Sequence, residues 1–239
     1  MDEDRWLASR FAPERARARL LALYALNYEI AHAAEAAREP GLGAIRLQWW
    51  RDGLEAISQG YMPPSHPALE AIFQTAPDSA FAWRLQGLAD AREADLAQAP
   101  FAAWEDMERY IDTTSGTLML LAVEACGADA AGEGPRAFVR EAARAWGYAG
   151  LARASGHWQA RGRTLLPPGA RLEDVQARAR AAYDAAKANA AAMAPAAFPA
   201  FGYVALTPGY LRALAQGRID TPLLGRKALL IGASATGRI

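Results

Sequence analysis

Residues 15–50 read RARARLLALYALNYEIAHAAEAAREPGLGAIRLQWW, and the spacing of side chains in this stretch decides the fold. Leu20, Tyr24, Asn27, Ala31 and Ala34 recur at helical intervals, which puts them on one face of an α-helix. Pro13 suits the first turn of that helix, predicted to run to about Arg38 before Glu39-Pro40-Gly41 ends it and turns the chain. A second helix is predicted from about Leu42 to Gln59. It carries Ile45, Trp49 and Ala56 on one side and Leu47, Trp50, Leu54 and Ile57 on another, so burial from two directions is expected.

Outward from this pair the pattern stays helical. Helices are predicted over about 4–11, 68–75, 79–98, 104–125, 136–159, 172–193 and 210–216, followed by a tail to Ile239. GYMPPSHP (60–67), the Gly127–Pro135 segment and RGRTLLPPG (161–169) read as connections, because proline and glycine interrupt them. No alternating run of β-branched residues asks for a strand, and no internal repeat is present. The fold class is all-α.

Composition narrows the function. With 52% hydrophobic residues over 239 positions the chain can bury a large core. Its 26 basic and 26 acidic residues cancel, which removes nucleic acid as a default partner and leaves only local charged patches. Cys126 is the single cysteine, so an internal disulfide and a cysteine-rich zinc site are excluded. His32 and His157 have no companions at zinc-ligand spacing. The start, MDEDRWLASRF, shows neither a secretory nor a mitochondrial targeting pattern, and a cytoplasmic location is expected. Residues 188–211 hold no ionisable group besides Tyr203 and Tyr210, yet their prolines and glycines make a poor transmembrane helix. They read either as a buried helix end with its covering loop or as a surface that touches a membrane peripherally or lids a cavity.

DRWLASRFAP (4–13), ALYALNYEIAHAAE (22–35), EPGLGAIRLQWWRDGLEAI (39–57), DAREADL (90–96), Tyr110 with Ser115-Gly116, WGYAGLARA (146–154) and RGRTLLP (161–167) together resemble the squalene/phytoene synthase family. The resemblance implies a single-domain isoprenoid-synthase-type helical bundle around a central cavity, spanning 1–239, with a core at about 4–170 and looser helices over 171–239. Active members of that family hold magnesium against prenyl diphosphates with two aspartate-rich motifs on facing helices. Carboxylates four residues apart share a helix face, and the metal draws charge from the departing diphosphate. Here the first motif falls on Ala31, His32 and Glu35, and no aspartate or glutamate lies between Glu141 and Glu173, where the second belongs.

No metal site and no cofactor are therefore expected, with magnesium entering only if other carboxylates have taken over. Glu35, Glu108 and Asp112 are the fallback catalytic candidates, and Asp90, Glu93 and Asp95 form a further acidic cluster. The cavity lining implied by the resemblance comprises Tyr24, Asn27, Ala31, Arg46, Trp49, Tyr110, Ser115 and Arg153, with Arg161 and Arg163 as phosphate-binding candidates. Glu29 and Arg46, on consecutive helices, are expected to pair as a structural lock. Residues 23–35 and 43–57 also resemble the family's branch of assembly factors for mitochondrial respiratory complex I. That branch implies a non-catalytic role in assembly or in holding an isoprenoid or other lipid, with respiratory-chain subunits as partners and a place peripheral to the inner membrane. The alternative is an active prenyl transferase with relocated magnesium ligands.

Overall fold

The Asp2 carboxylate accepts hydrogen bonds from the backbone N–H groups of Asp4 and Arg5 at 3.0 and 3.4 Å and so starts the first helix, α1, over Glu3–Ser9. The computed structural model describes residues 2–35, 40–97 and 99–239, without the side chains of 34, 35 and 40. Helices α2 (Glu14–Glu35) and α3 (Pro40–Ser58) form the pair expected from residues 15–50, although the turn at Glu39-Pro40-Gly41 falls partly outside the described residues. α4 covers Pro67–Thr75. The single helix expected over 79–98 is three short ones, α5 (Ser79–Arg84), α6 (Gln86–Ala91) and α7 (Glu93–Leu96). The second joint is Arg92, whose φ of −84° and ψ of −4° leave the helical well for the bridge region.

The central helix expected over 104–125 is continuous but locally widened. α8 (Trp104–Ile111) passes through a π-helical turn at Asp112–Gly116 into α9 (Thr117–Ala125). α10 (Glu133–Gln159) and α11 (Leu172–Asn189) follow and approach each other through buried small residues, among them Ala142, Ala149, Ala152, Ala179 and Ala182. α12 (Phe198–Phe201), α13 (Thr207–Ala215) and α14 (Leu223–Thr236) complete the chain. The last was expected to be a tail. Pro222 before it and Gly237 after it, the latter at a φ of 66°, are its start and stop signals. All regular elements among the described residues are helical.

One expectation about burial is corrected, and one of two alternatives is selected. On α3 only the face of Leu47, Trp50, Leu54 and Ile57 is buried, while Ile45 and Trp49 are 66% and 38% exposed. Neighbouring helices cover this element from one side, and its second apolar face meets solvent. In the charge-free segment, residues 197–207 are wholly buried, so this part of 188–211 forms interior rather than a membrane-touching surface. Its aromatic rings mesh edge to face with neighbouring helices, Phe201 with Phe138 at 4.7 Å and Tyr203 with Trp146 at 4.9 Å.

A buried polar cluster ties the two ends of the chain together. Arg226 on α14 donates to Asp4 at 2.7 Å and to Glu3 at 2.8 Å, and the Tyr210 hydroxyl donates to Asp4 at 2.5 Å. Burial pushes the Asp4 carboxyl above its ordinary range, and the hydrogen bonds from Tyr210 and Arg226 pull it back.

The separation of α10 from the central helix is set at Gly147, where an added Cβ would stand 2.4 Å from Cγ2 of the buried Ile111. Gly147→Ala is expected to lower stability by about 1–3 kcal/mol through overpacking. Gly156→Ala, on the same helix with nothing within 4 Å of the added carbon, is expected to raise it by about 0.5–1 kcal/mol. Urea unfolding midpoints of the two variants check both signs.

Candidate functional site

The central helix and α10 part around a cleft of about 240 Å³, closed at its sides by α1 and by the joint between α6 and α7. The π turn helps to form it. In this wider turn the hydroxyls of Thr113 and Thr114 donate to the carbonyls of Arg109 and Tyr110 at 2.9 and 2.6 Å, and Ser115 joins the lining. Ile111, Trp146 and Leu151 give the cleft apolar walls.

Three guanidinium groups line it, from Arg5, Arg92 and Arg153. The Arg5 side chain is only 12% exposed, lies 3.3 Å from Asp2 and sits 5.2 Å from the Tyr203 ring centroid. Its Nε is buried without a hydrogen-bond partner. Arg92 donates to the Tyr110 hydroxyl at 2.9 Å, and that hydroxyl donates to Asp95 at 2.7 Å. Arg153 donates through Nε to the Ile219 carbonyl at 3.0 Å and lies 3.9 Å over the Tyr210 ring. Burial pushes the hydroxyls of Tyr24, Tyr110 and Tyr203 upward, so all three stay neutral at physiological pH. The three guanidinium groups stay charged and outnumber the one carboxylate of the lining, Asp2, so this lining favours an anionic group.

The candidate carboxylates are engaged elsewhere. Asp112 receives a two-point grip from Arg144 at 2.9 and 2.8 Å. Glu108 accepts from Tyr148 at 3.0 Å and Arg178 at 3.2 Å, with Arg144 at 3.4 Å. Asp90 and Glu93 both face Arg51, at 2.6 and 2.5 Å. Glu35 closes α2 and its side chain lies outside those described. Among the described residues, no group of three or more His, Cys, Asp and Glu is placed to hold a metal ion.

Of the expected cavity residues, Tyr110, Ser115 and Arg153 share the cleft. Tyr24 lies beneath it, fully packed, with its ring centroid 6.0 Å from the Arg5 guanidinium. Asn27 and Ala31 are half-buried on α2. Arg46 and Trp49 are on the exposed side of α3, away from the cleft lining. No ion pair or hydrogen bond joins Glu29 to Arg46 among the described residues. Arg46 is exposed, and such pairs gain little there. Arg161 lies against His157 at 2.6 Å and Arg163 over the Trp158 ring at 4.7 Å, both near the end of α10 rather than in the cleft. Arg5 and Arg92 are not among the site residues read from the sequence, although both stand in quoted blocks, DRWLASRFAP and DAREADL.

A family model described as squalene/phytoene synthase matches residues 1–168. The chain belongs to the squalene/phytoene synthase family. Relatives include NADH dehydrogenase (ubiquinone) complex I assembly factor 6 from Homo sapiens, 27% identical over 127 residues that make up 53% of this chain and 38% of that protein. The Mus musculus protein of the same name is 26% identical over 127 residues. The matched stretch thus spans 38% of the length of these curated relatives. Among solved structures, a dehydrosqualene synthase in complex with ligand superposes with a TM-score of 0.74 at 15% identity, covering 98% of this chain and 91% of that one. The squalene synthase HpnC from Alicyclobacillus acidocaldarius gives 0.68 at 18% identity, covering 97% and 88%. The shared squalene/phytoene synthase fold therefore extends past residue 168, through the helices that the family model leaves unmatched.

The one thiol is not a nucleophile poised for this site. Burial pushes Cys126 up to about 12, so at neutral pH it stays protonated. Alkylation by iodoacetamide at pH 8 is expected to be at least ~10-fold slower in the native protein than in urea, read by mass spectrometry.

Proposed function

We propose that this member of the squalene/phytoene synthase family has left metal-dependent prenyl coupling and acts as a non-catalytic protein of the assembly-factor type, holding the anionic head of an isoprenoid or other lipid in its arginine-lined cleft. One observation carries the reading: Arg5, Arg92 and Arg153 line the cleft, while other arginines, Arg51, Arg144 and Arg178, neutralise the carboxylates that stood as replacements for the missing ones. Magnesium requires oxygen ligands, and the residues present do not fit it. Ala31 offers none, the segment between Glu141 and Glu173 has no carboxylate, and Glu108 and Asp112 are bound by Arg144 and Arg178. Size agrees with this. At about 240 Å³ the cleft falls below the roughly 300–1,000 Å³ of typical ligand pockets, which suits a head group better than two prenyl chains.

The name of the relatives, complex I assembly factor 6, supports respiratory-chain subunits as the partner class. A cytoplasmic position peripheral to the inner membrane belongs to the same reading. Among the described residues no helix is long and apolar enough to cross a membrane.

The test combines turnover and binding. Purified protein with farnesyl or geranylgeranyl diphosphate and magnesium is expected to release no pyrophosphate. In EDTA it is expected to bind farnesyl diphosphate by calorimetry, and Arg153→Met is expected to weaken that binding about tenfold, the size of one charge-assisted hydrogen bond. Pyrophosphate release that Glu108→Gln abolishes would overturn the reading in favour of a prenyl transferase with relocated ligands.

A further inference from the structure

The outer face of α14 combines features that the cleft does not explain. Arg226, Leu230, Ala233 and Gly237 follow a four-three-four spacing and turn toward the body of the protein, with Arg226 locked to Asp4 and Glu3. Leu224, Ala228, Ile231 and Ala235 follow the same spacing on the opposite face, and all four are exposed, Leu224 at 80% and Ile231 at 62%. A solvent-facing stripe on a surface helix is ordinarily polar. This one carries no charged or hydrogen-bonding side chain.

Its surroundings are basic. Residues 207–239 hold Arg212, Arg218, Arg226, Lys227 and Arg238 against Asp220 alone, whereas residues 1–206 hold 21 basic and 25 acidic side chains. The balanced total hides a chain whose final segment is positive and whose remainder is negative. Of the five basic groups, Arg212, Arg218, Lys227 and Arg238 are exposed. Arg212 and Arg218 line a groove of about 310 Å³ between α13 and α14, and Lys227 stands on the other flank of the apolar stripe. Exposed Ile219 continues the apolar surface just before α14.

We propose that α14 is an interfacial helix that seats this face on an anionic lipid bilayer. Its apolar stripe would enter the boundary between head groups and acyl chains, and the flanking cations would meet lipid phosphates. Charge complementarity selects the bilayer as the occupant. A second copy of the same face would bring like charges together, since the cations of one copy meet those of the other. The Arg226 pairs hold the helix rigidly against α1, so the stripe is presented ready-made and need not fold on contact. This inference is independent of what fills the cleft.

Co-sedimentation of the full chain with vesicles tests it. Binding is expected to phosphatidylcholine vesicles containing about 30% phosphatidylglycerol, and at least tenfold less to pure phosphatidylcholine. Binding to the anionic vesicles should fall about tenfold at roughly 0.5 M salt, where charge attraction is screened. Leu224→Glu combined with Ile231→Glu is expected to remove binding while leaving the thermal unfolding curve unchanged, because both side chains are exposed. Lys227→Glu combined with Arg218→Glu should reduce binding on the anionic vesicles alone. Absence of binding by the unmodified protein, retention of binding by L224E/I231E, or a protein dimer that this pair of substitutions splits would each overturn the proposal.

Discussion

The arrangement depends on how closely α10 can approach the central helix. Gly147 allows the Ile111 side chain to occupy the space that any larger residue's Cβ would need, and the neighbouring buried alanines extend this close contact toward α11. The contact also sets the dimensions of the cleft, since Ile111, Gly147 and Gly150 all line it. A wider separation would leave voids in an interior that holds the buried rings of Tyr24, Phe138, Phe201 and Tyr203.

Electrostatics inside that frame follow from arginine. Arg144 and Arg178 hold Glu108, Arg144 holds Asp112, and Arg51 holds Asp90 and Glu93. A carboxylate gripped in this way is a poor candidate for a divalent cation, because the guanidinium already occupies its oxygens and repels a second positive charge. In the lining of the cleft the balance is also basic, with Arg5, Arg92 and Arg153 beside the one carboxylate of Asp2.

Most of the fold could be read from spacing, because helices with one buried face write their period into the chain. The boundaries of α2, α3, α4 and α10 came within a few residues of those observed. Spacing failed where a choice depended on neighbours far away in sequence. Ile45 and Trp49 look as apolar as Leu47 and Trp50, and only the position of the surrounding helices decides which pair is covered. The segment at 197–207 showed the converse, since its lack of charge fits interior and membrane surface equally until Phe138 and Trp146 are placed against it. Tyr110, Ser115 and Arg153 stood out from family blocks and line the cleft, whereas Arg5 and Arg92, which line it too, did not stand out as candidates among 24 arginines. Helix α14 was missed because its stripe points away from the core, so the usual signal of a buried face is carried by Leu230 and few others.

The Asp4–Arg226 contact has a consequence for the order of events during synthesis. The two residues are 222 positions apart, so the carboxylate of the first helix is made long before the guanidinium that balances it. Until Tyr210 and Arg226 have both been made, Asp4 lacks the two donors that offset its burial. A contact of this range carries a loop-closure cost that local helices avoid, so α1 and α14 become fixed to each other only after the helices between them have formed.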